Sequence, residues 1–356
     1  MSELLKIEDV VKKLNTDYYL DELIEASERI AVLNSKVADC KLKDYIYLPF
    51  LKNKEAVESL QIEGTETSMS EVLDESSQPE ENSNVMKIQN YSEALNMGCN
   101  AVRFGFDEAL IKAVHKTMMA SCDPTGVLGI GEYKKVNNYI SRNKEVLYMP
   151  PLPDEIPAYM KELVKFANED TELNVLVRAA ILHSQFESIH PFTDGNGRTG
   201  RILVPIYLYY KRKITTPLFY ISEAFNKNKI SYYQMLTESR KGDINNWVKF
   251  FLEKCIAQAN SHIDYVSRIN ELYDETTKQI EKLVNTSSVN SIVEVLFKYP
   301  KLNSKLLAGE LQTSTSQAIR YLNTLSSNGI LWLPEHTSQR RNKSYYFIRL
   351  INLFMD

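Results

Sequence analysis

The chain has 356 residues, a net charge of −4, 44% apolar residues and 25% charged residues. This is ordinary for a globular protein of two or three domains, and it gives no reason to expect whole-chain attraction to nucleic acid or membrane. Cys40, Cys99, Cys122 and Cys255 are far apart and form no CxxC pair, so neither a zinc site nor a disulfide framework is suggested. With no apolar leader and no run of about 18 apolar residues, a cytoplasmic location without a membrane partner is expected.

In chain order, residues 18–37 carry Leu20, Leu23, Ile24, Ile30, Ala31 and Leu33 near helical spacing, which predicts a helix. A second helix is expected over 54–62, stopped by Gly64. Residues 74–84 are acidic and polar with no apolar residue, and read as a loop. Helix returns over 85–120. Residues 121–153 differ: they hold Gly126, Gly129 and Gly131, then two short apolar runs, 139–141 and 146–149. The polar residues 142–145 join these runs into a hairpin candidate. Helices resume from 156 to about 285, with Pro205 inside one of them, expected to kink or interrupt it.

Residues 286–356 read as a separate module. Helices are expected over 289–297, 304–311 and 314–328, then short strands over 330–333 and 344–348 around a loop with Arg340, Arg341 and Lys343. Three helices and a two-stranded wing resemble a winged helix-turn-helix. Eight basic residues face four acidic ones over 289–356. Ser316, Gln317 and Arg320 on the third helix are candidates for the major groove, with the wing arginines on phosphates. The bland alternative is a module for protein interaction or dimerisation.

The informative stretch is 190–201, HPFTDGNGRTGR. Three of the chain's twelve glycines fall within six residues there. Glycines allow backbone N–H groups to converge on an anion, and the helix that follows adds its positive end. Arg198 and Arg201, three apart, share a helix face and can grip phosphate together. Asp194 is an oxygen ligand suited to Mg²⁺. His190 can accept a proton from a hydroxyl. GNGRTG also matches the dinucleotide fingerprint GxGxxG, but that pattern needs a preceding strand, and 175–189 reads as a buried helix. No GxxxxGK[ST] occurs. A purely structural turn accounts for the glycines and leaves the two arginines, the aspartate and the histidine without a reason. His183 reads as a structural partner on the helix before the motif. His115, His262 and His336 have no supporting neighbours in sequence.

These residues resemble the Fic family, whose motif HPFx(D/E)GNGRxxR is matched at every defined position across 190–201. The surroundings match over about 50–260, including Gly131-Glu132-Tyr133, Phe186-Glu187-Ser188-Ile189 and a hairpin ending at Pro150-Pro151. The resemblance implies an all-α core with a small β-hairpin flap. It also implies transfer of AMP from ATP to a Tyr, Thr or Ser hydroxyl of a target protein or of the chain itself. His190 is then the base and Asp194 the Mg²⁺ ligand. Gly195, Asn196 and Gly197 cradle the α- and β-phosphates, Arg198 and Arg201 hold the β- and γ-phosphates, and Thr199 and Gly200 count with the ATP-binding stretch. The flap would add a strand to the acceptor segment. Tyr232 and Tyr233 stand either for an adenosine pocket or for plain core aromatics.

Ser59-Leu60-Gln61-Ile62-Glu63-Gly64 matches the family's inhibitory motif [ST]xxxE[GN]. The resemblance implies that Glu63 pairs with Arg201 and blocks the γ-phosphate grip. The expected organisation is an N-terminal helical region, 1–84, with the inhibitory helix at about 54–64. A Fic core over 85–285 and the winged helix-like domain over 286–356 follow. Rival readings are other chemistry on this fold (AMP removal, UMP transfer) or a nucleotide-sensing, DNA-binding regulator. The intact GNGR argues against a kinase-like variant.

Overall fold

The computed structural model describes residues 4–73, 83–122, 129–142, 145–169, 171–284, 287–334 and 343–355. By contacts it forms two compact units, Met1–Ser35 with Lys52–His262, and Lys36–Leu51 with Ile263–Asp356. In chain order the elements are α1 (Ile7–Lys12), α2 (Leu20–Ala38), α3 (Asp44–Ile62), α4 (Met69–Leu73), α5 (Asn84–Ala101) and α6 (Glu108–Met118). The hairpin β1 (Ile140–Arg142) and β2 (Glu145–Tyr148) comes next. It is followed by α7 (Ile156–Asn168), α8 (Val175–Ile189), α9 (Asn196–Tyr210), α10 (Ser222–Asn226), α11 (Lys229–Arg240) and α12 (Ile244–Leu283). The chain then runs through α13 (Val289–Lys298), β3 (Lys301–Leu302), α14 (Ser304–Glu310), α15 (Thr315–Ser327), β4 (Tyr345–Tyr346) and α16 (Ile348–Met355). Among the described residues no helix is long and apolar enough to cross a membrane.

The first unit is a helical packing around α8. Every residue of α8 after the first is buried, as a helix without a polar face requires. Its start is capped by Asn174, whose Oδ1 accepts from the Leu176 N–H at 2.9 Å. Helix α6 is capped in the same way by Asp107 and lays its apolar stripe, Leu110, Ile111, Val114 and Met118, inward. Helices α7 and α9 pack against α8, while α5 and α6 pack against each other and against α9, and α6 also meets α7. Helix α9 runs through Pro205 without interruption. Helix α3 begins ten residues earlier than the inhibitory helix expected at 54, with Pro49 inside it.

The hairpin is present, pairing Ile140 with Tyr148, Ser141 with Val146 and Arg142 with Glu145. Asn143 and Lys144 lie outside the described residues. So do 74–82 of the acidic loop, Gly126, residues 285–286 at the expected domain boundary, His336, Arg340 and Arg341.

In the second unit the three expected helices are α13, α14 and α15. The β segments differ from expectation. Of 330–333 only Trp332 pairs, through an isolated bridge to Tyr346. Tyr345–Tyr346 pairs instead with Lys301–Leu302. Ile348, expected in a strand, opens α16, because Leu350, Leu353 and Phe354 recur at helical spacing and are buried. Phe354 stacks on Phe50 with centroids 4.1 Å apart, and Arg349 pairs with Glu275.

Candidate functional site

The site is the turn between α8 and α9. His190 caps α8 in the left-handed region, φ 50°, with its N–H bonded to Phe186 O at 2.9 Å. Pro191 cannot extend the helix. Phe192 is fully buried and stacks on the His115 ring at 3.7 Å. The Asn196 side chain ties the turn to itself: Oδ1 accepts from Phe192 N–H and Nδ2 donates to Phe192 O, each at 2.8 Å. Gly195, φ 76°, supplies the left-handed step into α9. Thr199 Oγ donates back to Gly195 O at 2.8 Å. The side chains of Asn196 and Thr199 are thus used by the turn, and what they leave facing outward is backbone N–H at a helix start.

His115, which has no supporting neighbours in sequence, is part of this turn. Its Nδ1 accepts from Gly131 N–H at 2.9 Å, so the neutral ring carries hydrogen on Nε2 and donates to Asp194 O at 2.9 Å. Burial pushes its pKa down to about 4. The signal was tertiary: Asp194 lies 79 residues away. His262 likewise has neighbours, Gln258 at 3.2 Å and the rings of Phe219 and Tyr220. His183 is the structural partner expected. Its Nδ1 lies 3.1 Å from Gly200 O and its Nε2 2.9 Å from the Tyr232 hydroxyl.

The two arginines are not equivalent. Arg198, with its side chain 11% exposed, has Nη2 3.3 Å from Asp194 Oδ2, and the Asp194 side chain is 58% exposed. Arg201 is 1% exposed. Its Nε donates to Ser59 Oγ at 2.8 Å, and Nη2 donates to Ser59 O at 3.1 Å and to Glu63 Oε1 at 2.6 Å. Gly64, φ 86°, follows the end of α3. Two glycines of α9 make room for carboxylates. A Cβ on Gly197 would lie 2.4 Å from Glu63 Oε1, and one on Gly200 2.3 Å from Glu187 Oε1.

These groups line a cavity of about 520 Å³ that gathers Glu63, Glu187, His190, Gly197, Arg201 and the hairpin residues Ile140, Ser141 and Leu147. Tyr232 and Tyr233 line it too. Tyr232 is 1% exposed and tied to His183, a core aromatic with one side on the cavity. Tyr233 is 38% exposed, and its hydroxyl donates to Ile62 O at 3.1 Å. His190 is pushed down to about 3 by burial and by the charges of Lys134 and Arg240, so its ring is neutral. Asn138 Nδ2 and Asn196 Nδ2 approach its Nδ1 at 3.1 and 3.2 Å. Both amides are oriented by other partners, Lys134 and Phe192. Nδ1 therefore accepts, and the resting ring carries its hydrogen on Nε2. Among the described residues no cluster of three or more His, Cys, Asp or Glu could hold a metal alone.

Residues 105–208 match the model of the Fic/DOC family, and residues 20–100 match that of the Fic/DOC family N-terminal region. The chain is 26% identical over 267 residues to a probable protein adenylyltransferase of Aquifex aeolicus, covering 73% of this chain and 77% of the relative. It is 26% identical over 172 residues to protein adenylyltransferase fic-1 of Caenorhabditis elegans, covering 47% of this chain and 31% of the relative. Against protein adenylyltransferase Fic of Drosophila yakuba it is 28% identical over 145 residues, 40% of this chain and 26% of the relative. The chain thus spans a third or less of these two animal relatives. Among solved structures, a Fic family protein from Desulfovibrio desulfuricans aligns with a TM-score of 0.56 at 19% identity, covering 91% of this chain and 95% of the other. A Fic domain-containing signaling protein from Bacteroides thetaiotaomicron aligns with a TM-score of 0.55 at 23% identity, covering 68% and 97%. At these identities the two structures bear on the fold. With the two matched regions together taking in just over half of its residues, the chain belongs to the Fic/DOC family.

Proposed function

We propose that the chain is a protein adenylyltransferase that moves AMP from ATP to a Tyr, Thr or Ser hydroxyl of a protein, and that Glu63 holds it inhibited. The relatives' names favour the activity. The observation that carries the proposal is the Glu63–Arg201 pair at 2.6 Å. It stands on the wall of a cavity that also holds His190 and the start of α9. The acceptor oxygen attacks the α-phosphorus, the bond to the β-bridging oxygen breaks, and pyrophosphate leaves. The acceptor's proton passes to His190, which is neutral and so free to take it. Acceptance at Nε2 requires the ring hydrogen to move to Nδ1, against the amide contacts of the resting state. The backbone N–H groups at the start of α9, with Gly195, Asn196 and Gly197, receive phosphate oxygens. Arg198, paired at 3.3 Å with the exposed Asp194, would join them, while Arg201 must first leave Glu63.

Asp194 fits Mg²⁺ in one respect: it is an exposed hard oxygen beside the phosphate cradle, with nucleotide and water left to complete the ion's six ligands. When bound, the ion would neutralise phosphate charge. The test of the whole reading is label from α-labelled ATP and Mg²⁺ incorporated into the chain or a partner by Glu63→Gly. Label that never rises above the level of Glu63→Gly/His190→Ala sinks it.

A second role for 289–355 has an observation on its side. Ser316 and Arg320 are exposed on α15, the third helix of this module, although among the described residues only the Trp332–Tyr346 bridge of the expected wing forms. Retention on duplex DNA at moderate salt, lost in Arg320→Ala, would be the expected sign.

A further inference from the structure

The hairpin is tied at two roots, one on each strand. At the first, Asn138 stands two residues before β1, with Nδ2 3.1 Å from both His190 Nδ1 and Phe192 O. At the second, Tyr148 ends β2. The guanidinium of Arg240, the last residue of α11, lies 4.6 Å from the Tyr148 ring centroid. Between the roots Tyr139 is 60% and Val146 50% exposed.

Arg240 uses two parts of one group. Its face meets the Tyr148 ring, and Nη2 donates to Glu187 O at 3.1 Å. Glu187 lies in the last turn of α8, where carbonyls have no partner within the helix. Its position is three residues before His190. Arg240 Nε is buried with no hydrogen-bond partner among the described residues, so the guanidinium is held by these two contacts and not by a carboxylate fork. A planar cation can stack by its face and donate from its edge at once, while an ammonium cannot.

We propose that Arg240 is a positioning residue: it clamps β2, through Tyr148, to the end of α8 and so sets the height of the hairpin above His190. What the clamp serves, alignment of an acceptor strand, rests on the transfer reading. That the clamp exists can be tested without transfer.

The experiment is millisecond hydrogen exchange on the full chain, read at the amides of β1 and β2. Arg240→Gln and Tyr148→Leu should each speed exchange there by roughly 2- to 30-fold, the range of a cation–π contact from exposed to desolvated. Amides of α8 and α9 should keep their rates. Tyr148→Phe keeps the ring and should exchange like wild type. Arg240→Gln/Tyr148→Leu should be no faster than the faster single variant, because both remove one contact. Wild-type hairpin exchange in Arg240→Gln and Tyr148→Leu, or effects that multiply in the double variant, would overturn the proposal. Should Arg240→Gln speed exchange throughout its unit, the Tyr148→Leu and Tyr148→Phe pair decides alone.

Discussion

Two glutamates stand against the same face of α9 and meet opposite fates. Glu63, at the end of α3, lies over Gly197, and Glu187, from α8, lies over Gly200. Glu63 is 37% exposed and hydrogen-bonded to a buried guanidinium. Glu187 is buried, and its Oε1 has no hydrogen-bond partner among the described residues. Burial pushes its pKa up to about 7, against the pull of Arg201 and with the push of Glu63. One carboxylate is therefore bonded directly to Arg201, while burial pushes the other toward its neutral form. Closeness to a cation does not make an ion pair. A direct charge-assisted bond does, and Arg201 spends its donors on Ser59 and Glu63.

The largest expected effect guards the comparison against an artefact. In the Glu63→Gly form, adding His190→Ala should cut α-label incorporation on the order of 10²-fold or more. Activity that survives the double change would mean the gain does not come from this site. Next is Glu63→Gly itself, which should raise incorporation by roughly 10- to 150-fold if a charge-assisted bond is lost. The lower end is favoured because the carboxylate is more than a third exposed. Glu187→Gln should not reproduce that rise; if it did, the two carboxylates would be interchangeable and the contrast would fail.

Gly200→Ala forces a methyl to 2.3 Å from Glu187 Oε1, next to Phe186 at 3.1 Å. It should destabilise the fold by about 1–3 kcal/mol, seen as a lower melting temperature. Smaller still is a pH effect. Glu187's pKa is raised from the ordinary 4.5 to about 7. Its contribution to stability is therefore fully present below 4.5 and is lost as pH rises through about 7. Glu187→Gln lacks that titration, so its melting temperature should fall less than wild type's between pH 6 and pH 8. Parallel melting curves across that window would show that Glu187 is already ionised. The smallest signal is at His190. With its pKa pushed down to about 3, its ring resonances should stay constant from pH 8 to about pH 5, where an ordinary histidine would titrate.

Some of this was legible in the residue order and some was not. The helices of the first unit, the hairpin and the turn at 190–201 all declare themselves locally, by apolar period, by turn residues and by a motif with every defined position filled. The short β segments near the C-terminus did not. Trp332 makes a single bridge, and two-residue strands pair with a partner more than forty residues away. Ile348 sits in an apolar run that suits strand or helix until Leu350, Leu353 and Phe354 find buried positions. The sequence also placed a boundary near 285. The contacts instead gather Lys36–Leu51 with Ile263–Asp356, as the Phe50–Phe354 stack illustrates.

At the site the division is sharper. By itself the sequence determined which residues crowd the start of α9, because a histidine, an aspartate, three glycines and two arginines within twelve positions cannot avoid one another. It also placed Ser59 and Glu63 one helical turn apart on one face. The tertiary structure brings Glu63 to Arg201, the partner that the family resemblance names, across 138 residues of chain. Only it put His115 beside Asp194, gave Tyr232 to His183, and left Glu187 Oε1 buried with no hydrogen-bond partner among the described residues. Periodicity and backbone preference reach about one turn along the chain. Which donor meets which acceptor is set by packing, once burial has removed the water that would otherwise satisfy both.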